Sequence, residues 1–199
     1  MLESFPESSS AVRSFASKLG QVTVPASISV SECAPAFDRE AACRLLADLG
    51  ADLGLGTVVG GTPTTPAPEG ELFPQTLDEA TRRTLIAMDM VWTHGTDVVT
   101  VFALHFQDGN WTGVRRLADL LALHPKLKAS LYVVSVAALR DGLLSEIHRP
   151  VHRLLKKPLS ESVRILDWSR LEAEVVQLGE RVRYLKPEFL EGISEPLGA

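Results

Sequence analysis

The stretch Val99–Leu121, VTVFALHFQDGNWTGVRRLADLL, decides how the rest of the chain is read. Its first eight residues, largely apolar and rich in β-branched side chains, read as a buried strand. QDGN follows, and in it turn chemistry alone accounts for Asp108. From Trp111 onward the period changes. Val114, Leu117, Ala118 and Leu121 recur on one helical face, and Pro125 stops the run. The unit is therefore a buried strand running into an amphipathic helix. A second buried strand, ASLYVVSV at 129–136, comes directly after it.

Upstream, FDREAACRLLADLGADLGLG (37–56) predicts a helix with Asp38 as N-cap. Ala42, Leu45, Leu46 and Leu49 face inward, and Gly50 or Gly54 ends it. TVVGG is a short strand, and TPTTPAPEGELFP (62–74) is a proline-rich loop with no core-forming pattern. A short helix around LDEATRR leads into TLIAMDMVWT, and HGTD turns the chain back as a hairpin. Downstream, AALRDGLLSEIHRPVHRLLKK (137–157) is helical but broken near Pro150. SVRILDW is a last strand and SRLEAEVVQLGERV a last helix, with Ser169 as its N-cap. Residues 1–35 read as an extension, a short helix and an extended arm, ahead of one α/β domain over 36–199. From residue 38 the order is αβββαβ, which predicts an α/β fold with a central mixed sheet flanked by helices.

Composition narrows the function classes. Of 199 residues, 45% are hydrophobic and 23% charged, enough for a substantial core. The longest apolar run, LYVVSVAAL, is too short for a bilayer, so no membrane partner is expected. MLESFPESSS lacks the basic and apolar regions of a signal peptide. Cys33 and Cys43 form no disulfide framework or metal pattern, and the expectation is a reduced, cytoplasmic protein. The formal charge of −5 opposes wholesale coating of nucleic acid. Yet residues 115–164 hold 10 Lys and Arg against 4 Asp and Glu, whereas residues 1–114 hold 6 against 14. Screening confines distant acids to their own surroundings, so this local basic face can still meet phosphates.

The same residues carry a family likeness. The αβββαβ order resembles the core of the restriction-endonuclease-like, PD-(D/E)XK superfamily. One branch has a strand–helix unit reading approximately F-E-V-E-H-T-T-S-I-Y-S-G-L-L-R-M-A-D-L-L-A-L-Q-P, to which FALHFQDGNWTGVRRLADLLALHP is similar. Phe102, Gly113, Arg116, Ala118, Asp119, Leu120, Leu121 and Pro125 match. MDMVW (88–92) resembles that branch's I-D-V-L-W, EIHRP (146–150) its E-I-N-R-P, and LLADLGADLG its L-x-x-L-G-x-x-x-G. The likeness covers roughly residues 38–155.

That resemblance implies a metal-dependent phosphodiesterase site, whose clustered carboxylates hold Mg²⁺ to prepare water and stabilise the departing oxygen. Asp89 stands for the first acid and is the weak metal candidate; Glu40 is a less certain acid from the first helix. The strand pair falls on Ala103 and His105, which face the same way. Alanine has no donor atom, and histidine suits Zn²⁺ or Fe²⁺ better than Mg²⁺. Asp89, Ala103 and His105 are expected together at one end of the sheet.

Plainer roles compete for each residue. Asp89 also fits a buried carboxylate bonded to backbone or to an arginine, and His105 a packed strand-end residue. His94 lies in a hairpin turn. His148 and His152 have i, i+4 spacing, but Pro150 intervenes and no Glu follows the first. Trp111 suits base stacking or a core lid. Arg115, Arg116, Arg149, Arg153, Lys156 and Lys157 are the phosphate-binding candidates.

The expectation is a catalytically degenerate nuclease-like domain, a nucleic-acid-associated binding or scaffolding module in DNA repair, restriction or defence, with no cofactor. DNA is the expected partner, through the basic face. One alternative is an active Mg²⁺-dependent endonuclease with relocated ligands, Asp89 with Glu40 or Asp108 and assistance from His105. The other is a subunit that binds a partner protein and no nucleic acid.

Overall fold

A computed structural model describes residues 38–64 and 72–197; the expectation for residues 1–35 lies outside them. Helix α1 (Arg39–Asp52) begins where expected, with the Asp38 carboxylate accepting from the Glu40 backbone N–H at 2.9 Å. It does not stop at Gly50. That glycine lies within the helix because a Cβ there would stand 2.5 Å from Thr57 Cγ2 and 2.7 Å from Trp92 Nε1. Gly54, at φ +75°, follows the helix end.

Strand β1 (Gly56–Val59) is paired with the two-residue β2 (Thr62–Pro63). The proline-rich segment departs from the expectation at its far end, where Phe73 enters the core. Helix α2 (Glu79–Ile86), N-capped by Asp78, absorbs part of the run expected as strand, so β3 spans only Met90–His94. Thr81 donates through both N–H and hydroxyl to Asp78, which holds that carboxyl below its ordinary range. The hairpin to β4 (Asp97–His105) turns at Gly95, φ +61°.

Helix α3 (Thr112–Leu123) buries Val114, Leu117, Ala118, Leu120 and Leu121, then delivers the chain to β5 (Ser130–Ser135), parallel to β4. The following helical run breaks into α4 (Arg140–Ile147), α5 (Pro150–Arg153) and α6 (Leu159–Ser162). Strand β6 (Val163–Asp167) is parallel to β5. Helix α7 (Trp168–Leu178) is capped by Asp167, not Ser169: the Asp167 carboxylate accepts from Arg170 N–H at 3.0 Å. The chain continues through α8 (Phe189–Ile193) to β7 (Glu195–Pro196), so β6 is not the last strand.

The result is a mixed seven-stranded sheet, ordered β2-β1-β3-β4-β5-β6-β7, with helices on both faces. It is the α/β architecture expected, consistent with a restriction-endonuclease-like core. On one face Val101, Ala103, Leu131, Val133 and Ile165 pack under α2, α3, α4 and α6. On the other, Trp92, Phe102 and Tyr132 form an aromatic row beneath α1, α7 and α8, with centroids 4.7 and 5.6 Å apart. Each outermost strand has two residues, and one of the two is proline. No helix among the described residues is long and apolar enough to cross a membrane.

Candidate functional site

Strand direction brings the candidate residues to one end of the sheet. Met90 pairs with Phe102, so Asp89, the residue before β3, arrives beside Ala103 and near the end of β4. Leu104 N–H donates to Asp89 Oδ2 at 2.6 Å. Ala103 lies under the first turn of α3: a Cβ on Gly113 would be 2.9 Å from Ala103 Cβ and 3.7 Å from Asp89 Oδ2. The close approach of helix and strand requires a glycine at 113 and leaves Ala103 wholly buried.

Asp89 is 6% exposed, and both its oxygens are engaged by the protein. Oδ1 accepts from the guanidinium of Arg39 on α1, and Oδ2 from Leu104. This is a buried carboxylate held by backbone and arginine together. Cys43, half-buried one turn along α1, has its thiol pushed upward chiefly by burial, with the Arg39 charge opposing.

His105 stands one strand repeat beyond Ala103, on the same face and 3% exposed. Its ring stacks on Trp111, centroids 4.4 Å apart and 18° from parallel. Trp111 is thus a lid on this histidine at the entry to α3. His105 Nδ1 lies 3.1 Å from the Asn110 carbonyl, which can only accept, so Nδ1 carries the proton. Nε2 is left buried with no hydrogen-bond partner among the described residues. Burial holds the imidazole below its ordinary pKa, with the Asn110 carbonyl and the Asp108 charge opposing.

The relocated acids do not join Asp89. Glu40 is 79% exposed and pairs with Arg44 at 3.2 Å. Asp108 accepts from Gly109 N–H at 2.9 Å within its turn. His148 and His152 are separated by the break between α4 and α5, and buried His152 meets the Glu146 carbonyl at 3.0 Å. His94 ends β3 at the hairpin and is exposed. Among the described residues no three His, Cys, Asp or Glu are grouped to hold a metal ion. The donor set does not fit Mg²⁺, which prefers six oxygens with at least one or two carboxylates free to face it.

The basic candidates divide into two sets. Arg115 and Arg149 converge on the buried Glu146 carboxylate at 3.4 and 3.0 Å. Arg116 donates to the Ala87 carbonyl at 2.6 Å, closing the end of α2 against α3. Arg153, Lys156 and Lys157 are exposed and make no ion pair among the described residues.

Two features went unread in the sequence. Glu146 gathers two arginines, Arg149 three residues on and Arg115 from α3. A row His105–Ser135–Asp167 runs in register across the carboxyl ends of β4, β5 and β6. Ser135 and Asp167 also line a cavity of about 120 Å³ with Arg140, Arg170 and Glu195. Arg140 and Glu195 are clamped together at its wall, which raises the guanidinium pKa and lowers that of the carboxyl. Register across strands far apart in sequence leaves no local motif, so only the folded sheet reveals this row.

A family model for the C-terminal domain of the Type II restriction enzyme NmeDI matches residues 71–197. That span runs from the approach to α2 through β7 and includes Asp89, Ala103, His105 and the helix packed over them. No curated protein matches the chain, and no solved structure does. With well over half its length matched, the chain belongs to the family of the Type II restriction enzyme NmeDI C-terminal domain.

Proposed function

We propose that this is a catalytically degenerate nuclease-like domain of the PD-(D/E)XK type, acting as a nucleic-acid-associated binding or scaffolding module in restriction or defence. The observation that carries the reading is the state of Asp89. The one acid at the expected place has both oxygens engaged, by Arg39 and by Leu104 N–H, while Ala103 beside it offers no donor. A hydrolytic site of this kind needs carboxylates free to hold a divalent ion against water and phosphate. His105 cannot replace them: it is buried, neutral-leaning and fixed through Nδ1 to Asn110. The restriction-enzyme family supports the DNA-related setting.

The test is a paired assay on duplex, single-stranded and branched DNA with Mg²⁺ or Mn²⁺. The expected result is a salt-sensitive gel shift with no cleavage above background. Metal-dependent cleavage that disappears in Asp89→Asn would overturn the degenerate reading. Absence of any shift at low salt would overturn the nucleic-acid role.

A further inference from the structure

We propose that DNA is held not beside Ala103 but at the opposite end of the sheet, by Lys126, Lys128, Lys156 and Lys157. The inference rests on the nucleic-acid reading above and names the surface it uses. Strands β4, β5 and β6 are parallel, and Asp89, Ala103 and His105 lie where β4 ends. Lys126 and Lys128 belong to the connection that enters β5 at its start. Lys156 and Lys157 precede α6, which enters β6 at its start. Leu131 pairs with Val163, so these two entries are neighbours. Leu127 and Leu155, partly buried against the same core cluster, anchor the two segments on one side of the sheet.

The four lysines are exposed, and none has an ion-pair partner among the described residues. Every ion pair among those residues uses an arginine, none a lysine. The segments 124–129 and 149–158 contain no Asp or Glu. On a chain of net charge −5, that is a concentrated positive surface whose charge no ion pair among the described residues uses. The carboxyl end of the sheet is different: Arg39 and Arg140 there are already committed to carboxylates, and Arg170 donates to the Gly192 carbonyl. Lysines on flexible stems suit phosphate oxygens along a backbone and carry little base-specific geometry. The partner class is therefore duplex DNA, bound through its phosphates with weak sequence preference.

Leu154 stands 86% exposed between Arg153 and Lys156, an arrangement that would also suit an anionic lipid surface. The experiment separates the two. Affinity of the full chain for a duplex is measured from about 50 to 200 mM salt, alongside sedimentation with phosphatidylserine vesicles. Each lysine on a phosphate adds about one unit to the log–log salt slope. Lys126→Ala, Lys128→Ala, Lys156→Ala and Lys157→Ala combined should therefore flatten it by about three to four units. Arg181→Ala with Lys186→Ala, exposed cations elsewhere, should leave it unchanged. An unaltered thermal midpoint in the quadruple variant assigns the loss to binding. A quadruple variant that keeps the wild-type slope overturns this surface while the nucleic-acid reading stands. Wild type that ignores DNA at low salt overturns both, and lysine-dependent vesicle binding in that case makes the surface lipid-directed.

Discussion

Asp89 works as a structural joint. Its Oδ2 satisfies the Leu104 backbone donor from a carboxylate only 6% exposed, whereas its Oδ1 meets Arg39, which is 61% exposed and rehydrates readily. The two contacts therefore differ in weight. An orphaned buried N–H costs about 1–3 kcal/mol, whereas an ion pair open to water on its arginine side is screened and contributes less. Asp89→Ala should lose about 1–3 kcal/mol in urea unfolding, and Asp89→Asn, which keeps an oxygen for Leu104, clearly less. Equal losses would mean the ion pair dominates. His105 makes a separate prediction in pH. Its folded pKa is lowered by burial, so between that value and the unfolded value of about 6.5 the unfolded chain binds the extra proton. Its contribution to stability is complete above about pH 6.5 and is lost as pH falls toward the folded value. The thermal midpoint of wild type should drop from pH 7.5 to 5.5 by more than that of His105→Gln. The sequence placed Asp89 and His105 at the right end of the sheet but could not show their partners. Arg39 lies fifty residues away from Asp89, and no spacing rule links a helix start to a strand entry at that distance.

At the scale of elements, the contact between α3 and β4 sets the geometry of the site. Helix propensity favours alanine over glycine by about 0.5–1 kcal/mol in a helix interior. At Gly113 the sign should reverse, because the new methyl meets Ala103 Cβ at 2.9 Å and neither atom belongs to a flexible side chain. Gly113→Ala is expected to destabilise by about 1–3 kcal/mol as an overpacked core. Gly192→Ala in α8, where a Cβ meets nothing within 4 Å, should be neutral or stabilising. Denaturant midpoints of the two variants moving the same way would contradict this account of the close approach. The elements themselves were largely legible where period and caps agreed: Asp38 began α1, and Val114, Leu117, Ala118 and Leu121 of α3 face inward as read, with Leu120 buried beside them. Legibility failed where tertiary contacts overrode local signals. Gly50 reads as a helix stop but serves as the seat of Trp92, whose Nε1 donates to the Leu46 carbonyl at 3.1 Å. Met88 and Asp89 read as strand, yet α2 extends to Ile86 and delays β3. Asp167 displaced Ser169 as N-cap because β6 runs directly into α7 with no intervening loop.

For the molecule as a whole, the consequence lies at the two margins of the sheet. An outermost strand is a template on which another chain can lengthen the sheet, with amyloid as the extreme product. Here Pro63 and Pro196 each remove a backbone donor from a strand only two residues long, so neither margin offers a row of hydrogen-bonding groups. Addition of a further chain to either of these two strands is thereby discouraged. Pro63→Val and Pro196→Val together restore two donors and add β-branched side chains. In agitated solution the double variant should form thioflavin-positive fibres sooner than wild type, and an unchanged lag time would show that the margins are guarded by something other than proline. Under the DNA binding proposed above, copies of the domain would accumulate at high local density along the duplex. In such a crowd, two prolines serve as protection against fibre formation.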